Sequence, residues 1–362
     1  MDEYIAFDSH KYYTLMEREQ VAGAKVHQQR IEHRPGSIRS ALAGCRPGTP
    51  VAVEAIGNWY WIVDEIEEAG LQPLLVHPRK AKLMMGMINK TDKLDVHGLN
   101  RLQRNGTLPV VWIPPAGLRD LRELTRTRIF MGRQRTRLKN RIQAGLAKYG
   151  LQIRGYSDVF APGARATLQQ RLGALPEQTR YVGRMLLEEL DRVQGRISAL
   201  EGRLDDLIEL TPQMKLLMSL PGVAAILGAT IALEIGDVSR FPSGEHLASY
   251  AGTTPRVHAS GGKVRYGRLR CDVNRTLKWA YAEAGNSVAV NHMRRPGRHV
   301  SRLYWRIRRH KGHAKAIGAV ARHLAEASFH VLNRKEPYRD PALKQHRTRK
   351  GPRQAGASAT VS

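Results

Sequence analysis

Residues 49–70 read TPVAVEAIGNWYWIVDEIEEAG. Thr49 to Glu54 has the pattern of a buried strand, and it ends on a carboxylate. From Trp59 to Ala69 the apolar residues recur at helical spacing, and Gly70 closes the segment. Leu71 to Val76 (LQPLLV) is a further strand. Upstream, Tyr4 to Phe7 is a short strand ending at Asp8, and Tyr12 to Met16 reads as its hairpin partner. A basic stretch, His27 to Arg39, follows and opens a helix near Ser37. Val110 to Trp112 is the last strand, stopped by Pro114-Pro115. Strands alternating with helices predict a layered α/β domain over residues 1–115 with a largely buried sheet.

Beyond residue 115 the pattern turns helical. Leu118 to Tyr149 is a helical run dense in arginine and lysine, residues 150–163 carry the glycine and proline that break it, and a second helix runs through Leu210. Leu186, Leu190, Val193, Ile197, Leu200, Leu204 and Leu207 alternate steps of four and three, a heptad seam. It serves either an intramolecular hairpin with the first helix or a coiled coil between chains. Residues 116–215 are thus a helical coiled-coil connector. Residues 216–338 form a second compact, mostly helical region, and residues 339–362 a disordered basic tail. LPGVA at 220–224 resembles a helix-hairpin-helix turn, where Gly222 exposes N–H groups at a helix N-terminus to a DNA phosphate.

The 362 residues carry a formal net charge of +27. Phosphate backbones attract such an excess, because each neutralised phosphate releases counterions. A membrane-surface role would need an apolar face or lipid anchor, and no run of about 18 apolar residues spans a bilayer. Two cysteines, Cys45 and Cys271, fit a reducing cytosol better than a disulfide scaffold. The acidic start MDEYIAFDSHKYY lacks signal-peptide architecture, so a cytoplasmic, nucleoid-associated location is expected. No GxxxxGK[ST] motif calls for ATP.

Four carboxylates stand out. Asp8 and Glu54 end strands, and Asp92 and Asp95 lie in NKTDKLDVHGL, three apart and so on one helix face. Converging, they would hold two Mg²⁺ ions about 4 Å apart, which suits phosphoryl transfer. Singly each has a plainer reading: Asp8 closing a turn, Asp92 a cap, Asp95 a solvated charge. Glu54 is costly to bury after TPVAV unless it binds or pairs.

A second constellation is VHASGGKVRYGRLRCDVNRTLKWA, residues 257–280. Ser260 precedes two glycines and a cationic run of Lys263, Arg265, Arg268, Arg270, Arg275 and Lys278. A loop of this kind brings a hydroxyl to a phosphodiester, with cations to neutralise the transition state. Ser243 and Ser249 are rival hydroxyls, Ser249 the more structural. His258, two residues away, is a structural or DNA-contact residue, so no general base stands beside Ser260. Arg126, Arg128, Arg133, Arg135, Arg137, Lys139 and Arg141 on the connector are read as nucleic-acid contacts. Arg302, Arg306, Arg308, Arg309 and Lys311 form a DNA-facing helix surface, and His310, His313 and His323 are phosphate-facing or surface residues.

AFDSHKYY, VEAIGNWYW and NKTDKLDVHGLNRL together resemble the DEDD transposases of the IS110 family. LPGVAAILGATIALEIGDVSRFPSGEHLASYAGTTP, VHASGGKVRYGRL and KGHAKAIGAVARHLAEASFHVLNRKEPY resemble its C-terminal transposase domain, so the likeness covers roughly residues 1–338. It departs at Ala6-Phe7, where Gly-Ile is common, at His10 after Ser9, and at Val273-Asn274, where glycine often precedes the asparagine. Asn58, Trp59 and Tyr60 are packing or DNA-contact residues. The resemblance implies an RNase H-like (RuvC-like) first domain with Asp8, Glu54, Asp92 and Asp95 as Mg²⁺ ligands, and Ser260 as the nucleophile. It further implies strand cleavage and rejoining through a phosphoserine link, a homo-oligomer (dimer or tetramer), and for many members a structured guide RNA. Because neither constellation looks sufficient alone, the acidic site of one subunit is expected to complete the serine site of another. Two rival readings stay open: a Mg²⁺-dependent structure-selective nuclease with Ser260 as a loop residue, and a non-catalytic DNA-binding relative.

Overall fold

The computed structural model describes residues 3–20, 25–86, 91–270 and 272–341. The predicted basic tail beyond 341, and Cys271, lie outside these. Contacts divide the chain into two compact units, residues 1–114 and residues from 115 onward.

The first unit runs β1 (Glu3–Ser9), β2 (Tyr13–Gln20), β3 (Lys25–Glu32), α1 (Ser37–Leu42), β4 (Pro50–Glu54), α2 (Trp59–Glu68), β5 (Gln72–Val76), α3 (Pro78–Met85) and α4 (Asp92–Arg104). Its five-stranded sheet has the order β3-β2-β1-β4-β5. The β1–β2–β3 meander is antiparallel, and β1, β4 and β5 run parallel. Side chains alternate across a strand. Ile5, Phe7, Val51 and Val53 therefore pack one way, with Ile38 and Leu42 of α1 and Ile62 and Ile66 of α2. Ala6 and Ala52 face the other way, against Ala81 and Met85 of α3 and Val96, Leu99 and Leu102 of α4. Small residues on that side let α4 lie close to the sheet. The Glu65 carboxylate accepts from the backbone N–H groups of Gly36, Ile38 and Arg39 at 2.5, 2.9 and 3.2 Å, which fastens the first turn of α1 to α2.

Two sequence expectations need correction here. The basic stretch begins as a strand, β3, before α1. Seven of its eight residues are exposed, so no apolar alternation marks it, and its lysine, arginine and glutamate blunt an open sheet edge. Val110 to Trp112 is no full strand: only a Val76–Val110 bridge forms. Val111 N–H still donates to the Leu75 carbonyl at 2.7 Å, but Pro109, Pro114 and Pro115 offer no N–H to extend the ladder.

The second unit opens with α5 (Ala116–Lys148), a 3-10 turn (Pro162–Ala164), α6 (Arg165–Gly173) and α7 (Glu177–Leu210). The helix expected to reach Leu210 is broken before Pro176, which precedes α7. Then come α8 (Pro212–Leu217), α9 (Ala225–Ile235), a 3-10 turn (Val238–Arg240), α10 (Gly244–Tyr250), β6 (Pro255–Ser260), β7 (Lys263–Leu269), α11 (Arg275–Asn291), α12 (His299–Lys311) and α13 (His313–Arg334). Along α7, Leu190, Val193, Ile197 and Leu204 of the heptad seam are buried, as are Leu187 and Ile208 beside it. Leu187 and Leu190 meet Ile142 and Leu146 of α5, while Leu204 and Ile208 meet Leu118, Leu121 and Leu124. The two helices thus pack antiparallel within one chain. Helices α9, α11 and α13 supply most of the remaining core, around the fully buried Tyr281.

Candidate active site

Asp8 and Glu54 each stand one residue beyond the paired positions Phe7 and Val53 of adjacent parallel strands. Both follow an inward alanine by two residues, so both belong to the face of the sheet that α4 covers. Asp92 and Asp95 occupy the first turn of α4, where the helix dipole favours carboxylates. Thr91 caps that turn, its hydroxyl accepting from Leu94 N–H at 3.3 Å.

The structure brings Asp8 and Asp92 together with His10, to which no spacing in the sequence points. His10 Nε2 lies 3.4 Å from Asp8 Oδ2 and 3.3 Å from Asp92 Oδ2. Donor atoms of the three residues all fall within 4.8 Å of one another. That nitrogen is shielded from solvent and makes no hydrogen bond. The Asn58 amide, just ahead of α2, donates to the His10 carbonyl at 2.9 Å and fixes the chain leaving β1. The Tyr13 hydroxyl donates to Asp92 Oδ2 at 2.9 Å, and this bond to a carboxylate holds its phenol pKa above the ordinary value. Behind the cluster, the fully buried Glu17 of β2 fixes α4 against the sheet. It accepts from the Asn100 amide at 3.1 Å and Gln28 at 2.7 Å, and meets His97 Nδ1 at 3.0 Å.

Two carboxylates and an imidazole around one point, with an unsatisfied nitrogen between them, fit a divalent cation. Glu54 lies beside Asp8 by strand register, and Asp95 lies in the same helical turn as Asp92.

In the second unit, β6 and β7 pair antiparallel as a two-stranded ribbon, with Ser260 opposite Lys263. The loop expected around Ser260 is thus a hairpin tip. Gly261 and Gly262 form its two-residue turn at φ +55° and +74°, the left-handed conformations that a hairpin of this length demands. Every residue from Arg256 to Ser260 and from Lys263 to Leu269 is exposed. Alternation divides the ribbon. His258, Ser260, Lys263 and Arg265 share one face; Val257, Ala259, Val264 and Tyr266 share the other.

Comparison with known proteins sorts the two regions into one lineage. Residues 7–150 match the family model of DEDD transposases of IS110 elements. Residues 214–301 match the transposase family IS116/IS110/IS902. The chain belongs to the IS110 family of transposases.

Among its relatives, a probable family 20 transposase of Pseudomonas aeruginosa is 26% identical over 228 residues, 62% of this chain and 66% of that protein. The transposase for insertion sequence element IS1111A of Coxiella burnetii is 24% identical over 247 residues, 67% of this chain and 65% of that protein. Both alignments thus span just under two thirds of those relatives. The 43.6 kDa protein of insertion element IS110 from Streptomyces coelicolor is 36% identical over 95 residues, 26% of this chain and 24% of that one.

Several cations of this IS110-family chain are engaged within the protein. Arg126 pairs with Glu234, Arg128 with Glu201 and Lys139 with Asp158, at 2.8, 2.5 and 2.8 Å. Arg270 pairs with Asp272 at 2.8 Å, and Lys278 donates to the Arg270 carbonyl at 3.2 Å. Lys263, Arg265, Arg268 and Arg275 stay exposed. Gly222, at φ +81°, presses on α11, where an added Cβ would sit 2.4 Å from the Ala284 carbonyl oxygen. His323 is no phosphate-facing residue: its Nε2 meets the Tyr338 hydroxyl at 3.1 Å, and burial pushes its pKa down to about 4. Ser243 starts α10 and donates to Glu245 at 2.6 Å. Among the described residues, no helix is long and apolar enough to cross a membrane.

Proposed function

We propose that this chain is an insertion-sequence DNA transposase that cuts and rejoins DNA through a phosphoserine intermediate. The observation that carries this reading is the place of Ser260 at the tip of an exposed ribbon, on the face it shares with Lys263 and Arg265. The hydroxyl there is clear of packing, with two exposed cations beside it to meet a phosphodiester.

The Ser260 Oγ attacks phosphorus. One P–O bond forms and the bond to a deoxyribose oxygen breaks, the serine proton leaving to a base and the departing oxygen taking a proton up. Lys263 and Arg265 neutralise charge on the pentavalent phosphate. An incoming strand hydroxyl then reverses the step, and because bond energy is kept in the phosphoserine, joining needs no ATP. Asp8, Glu54, Asp92 and Asp95 would hold Mg²⁺, which when bound would supply polarisation of phosphate oxygens and a lowered hydroxyl pKa. Tyr13 and Asn58 keep that site in shape through Asp92 and His10. The strand order of the first unit supports an RNase H-like domain. The reading includes a homo-oligomer in which the acidic site of one subunit completes the serine site of another, because neither constellation looks sufficient alone, together with nucleoid association and a structured guide RNA, which the charge of +27 accommodates.

The test is trapping. Purified protein, Mg²⁺, labelled element-end DNA and RNA transcribed from the element are incubated and denatured. A protein–DNA adduct that vanishes with Ser260→Ala is expected. The convergence of Asp8, His10 and Asp92 also favours a second reading, a metal-dependent nuclease. Cut ends without an adduct, kept in Ser260→Ala and lost in Glu54→Ala, would establish it.

A further inference from the structure

Helix α12 has two unlike sides. Val300, Ser301 and Tyr304 are buried, and the Tyr304 hydroxyl meets His313 Nδ1 at 2.8 Å, fastening α12 to α13. At the edge of that buried side stands Trp305, 43% exposed. A tryptophan left in water costs apolar burial, and this one is held in place. Its ring stacks on His292, centroids 5.6 Å apart and planes 23° from parallel, and His292 is itself buried, its Nδ1 2.6 Å from the Ala289 carbonyl. Arg308 and Arg309, one turn on, lie 5.8 and 6.0 Å from the indole centroid. Arg306, His310 and Lys311 are also exposed. Between Glu283 and Glu326 the sequence has a dense run of arginine and lysine and no acidic residue.

We propose that this face of α12 binds single-stranded DNA, with Trp305 stacking on an unpaired base while Arg308 and Arg309 hold the neighbouring phosphates. Charge selects the occupant. A surface this cationic repels a second copy of itself and attracts a polyanion. The aromatic ring selects the form of that polyanion: bases inside a duplex have both faces covered, whereas an unpaired base offers a free one. DNA rather than RNA follows from the proposed cleavage reaction, on which this inference rests, since cutting and exchanging strands leaves nucleotides unpaired beside the ribbon's substrate.

The experiment measures affinity of the full-length protein for fluorescein-labelled oligothymidylate, for a duplex, and for oligouridylate, with a thermal melt of each variant. Trp305→Ala should weaken oligothymidylate binding roughly ten-fold, within the range for loss of one aromatic–base stack, with duplex affinity unchanged. Trp305→Phe should restore most of it. Arg308→Gln/Arg309→Gln should weaken both DNA forms and flatten their salt dependence. Binding should also quench tryptophan emission less in Trp305→Phe. An equal loss on single strand and duplex, no loss at all, a loss confined to oligouridylate, or a change of oligomeric mass in Trp305→Ala would each overturn the proposal. Absence of any nucleic-acid binding by the unaltered protein would overturn the proposed function with it; duplex binding with an inert Trp305 would overturn this inference alone.

Discussion

Glu234, fully buried on α9, receives both Nε and Nη2 of Arg126 on α5, at 2.8 and 3.0 Å. The same carboxylate accepts from the Asn274 amide at 2.7 Å, and Asn274 caps α11 through Leu277 N–H at 2.9 Å. Beside it the Arg122 guanidinium donates to the Leu233 and Glu234 carbonyls at 2.8 and 3.0 Å. Burial lowers the Arg122 pKa, opposed by the nearby Glu234 charge. One acidic residue thus ties together three helices at the base of the ribbon. Glu234→Ala removes the counter-charge of the buried Arg122 and the partner of the part-exposed Arg126, and should cost about 3 kcal/mol, the low end for a broken buried pair. Urea unfolding checks it; a loss below about 1 kcal/mol would show the network to be dispensable.

Ala52 is fully buried where α4 covers the sheet. Ala52→Leu should push α4 outward and cost about 1–3 kcal/mol. Because Asp92 rides on α4, the variant should also bind Mn²⁺ more weakly. Calorimetric titration with Mn²⁺ reads this, and unchanged affinity at reduced stability would uncouple the helix from the site.

Gly222→Ala places a methyl against the Ala284 carbonyl and demands a left-handed backbone of alanine. A loss of about 1–3 kcal/mol is expected in denaturant melts. A variant as stable as the parent but weaker on DNA would instead favour a phosphate role for this turn.

His323 has its pKa pushed from 6.5 to about 4, first by burial and then by neighbouring His299. Below pH 6.5 the unfolded chain takes up a proton that the folded chain resists, so stability is full above that pH and falls as pH drops towards 4. His323→Gln should flatten this slope in melts run across the interval, and a slope unchanged by the substitution would place the acid sensitivity elsewhere.

Mixing Ser260→Ala with Glu54→Ala protein should restore strand transfer that neither variant performs alone, if the two sites are completed between subunits. Transfer assays on co-expressed, purified mixtures decide it, and failure to complement argues for sites built within one chain.

Much of this was readable from residues alone. The strands that carry Asp8 and Glu54 announce themselves because apolar runs are unbroken where a sheet is buried on both faces, although β1 runs one residue past Asp8; the helix of Asp92 and Asp95 is signalled only by the spacing of its two carboxylates. β3 does not, since an exposed edge strand needs no apolar alternation. His10 stayed hidden because a lone histidine after a strand carries no spacing; only the hairpin return and α4 reveal its neighbours. The ribbon is legible in the alternation of Val257 to Ser260 across Gly-Gly to Lys263 and Tyr266, but its two exposed faces and dense cations give it the composition of a loop. No local pattern says that Arg126 and Arg128 meet buried or half-buried carboxylates on other helices rather than phosphates.

The ribbon's geometry rests on backbone pairing and a two-glycine turn, with no side chain from Arg256 to Leu269 sunk into a core. Natural variation should therefore be steeply uneven there. The turn glycines yield only to residues that accept a left-handed backbone, and the proposed chemistry holds Ser260, Lys263 and Arg265, whereas Val257, Ala259, Val264 and Tyr266 on the opposite face are sunk into no core and are at liberty to drift. A lineage could exchange them one by one while the fold beneath stays untouched.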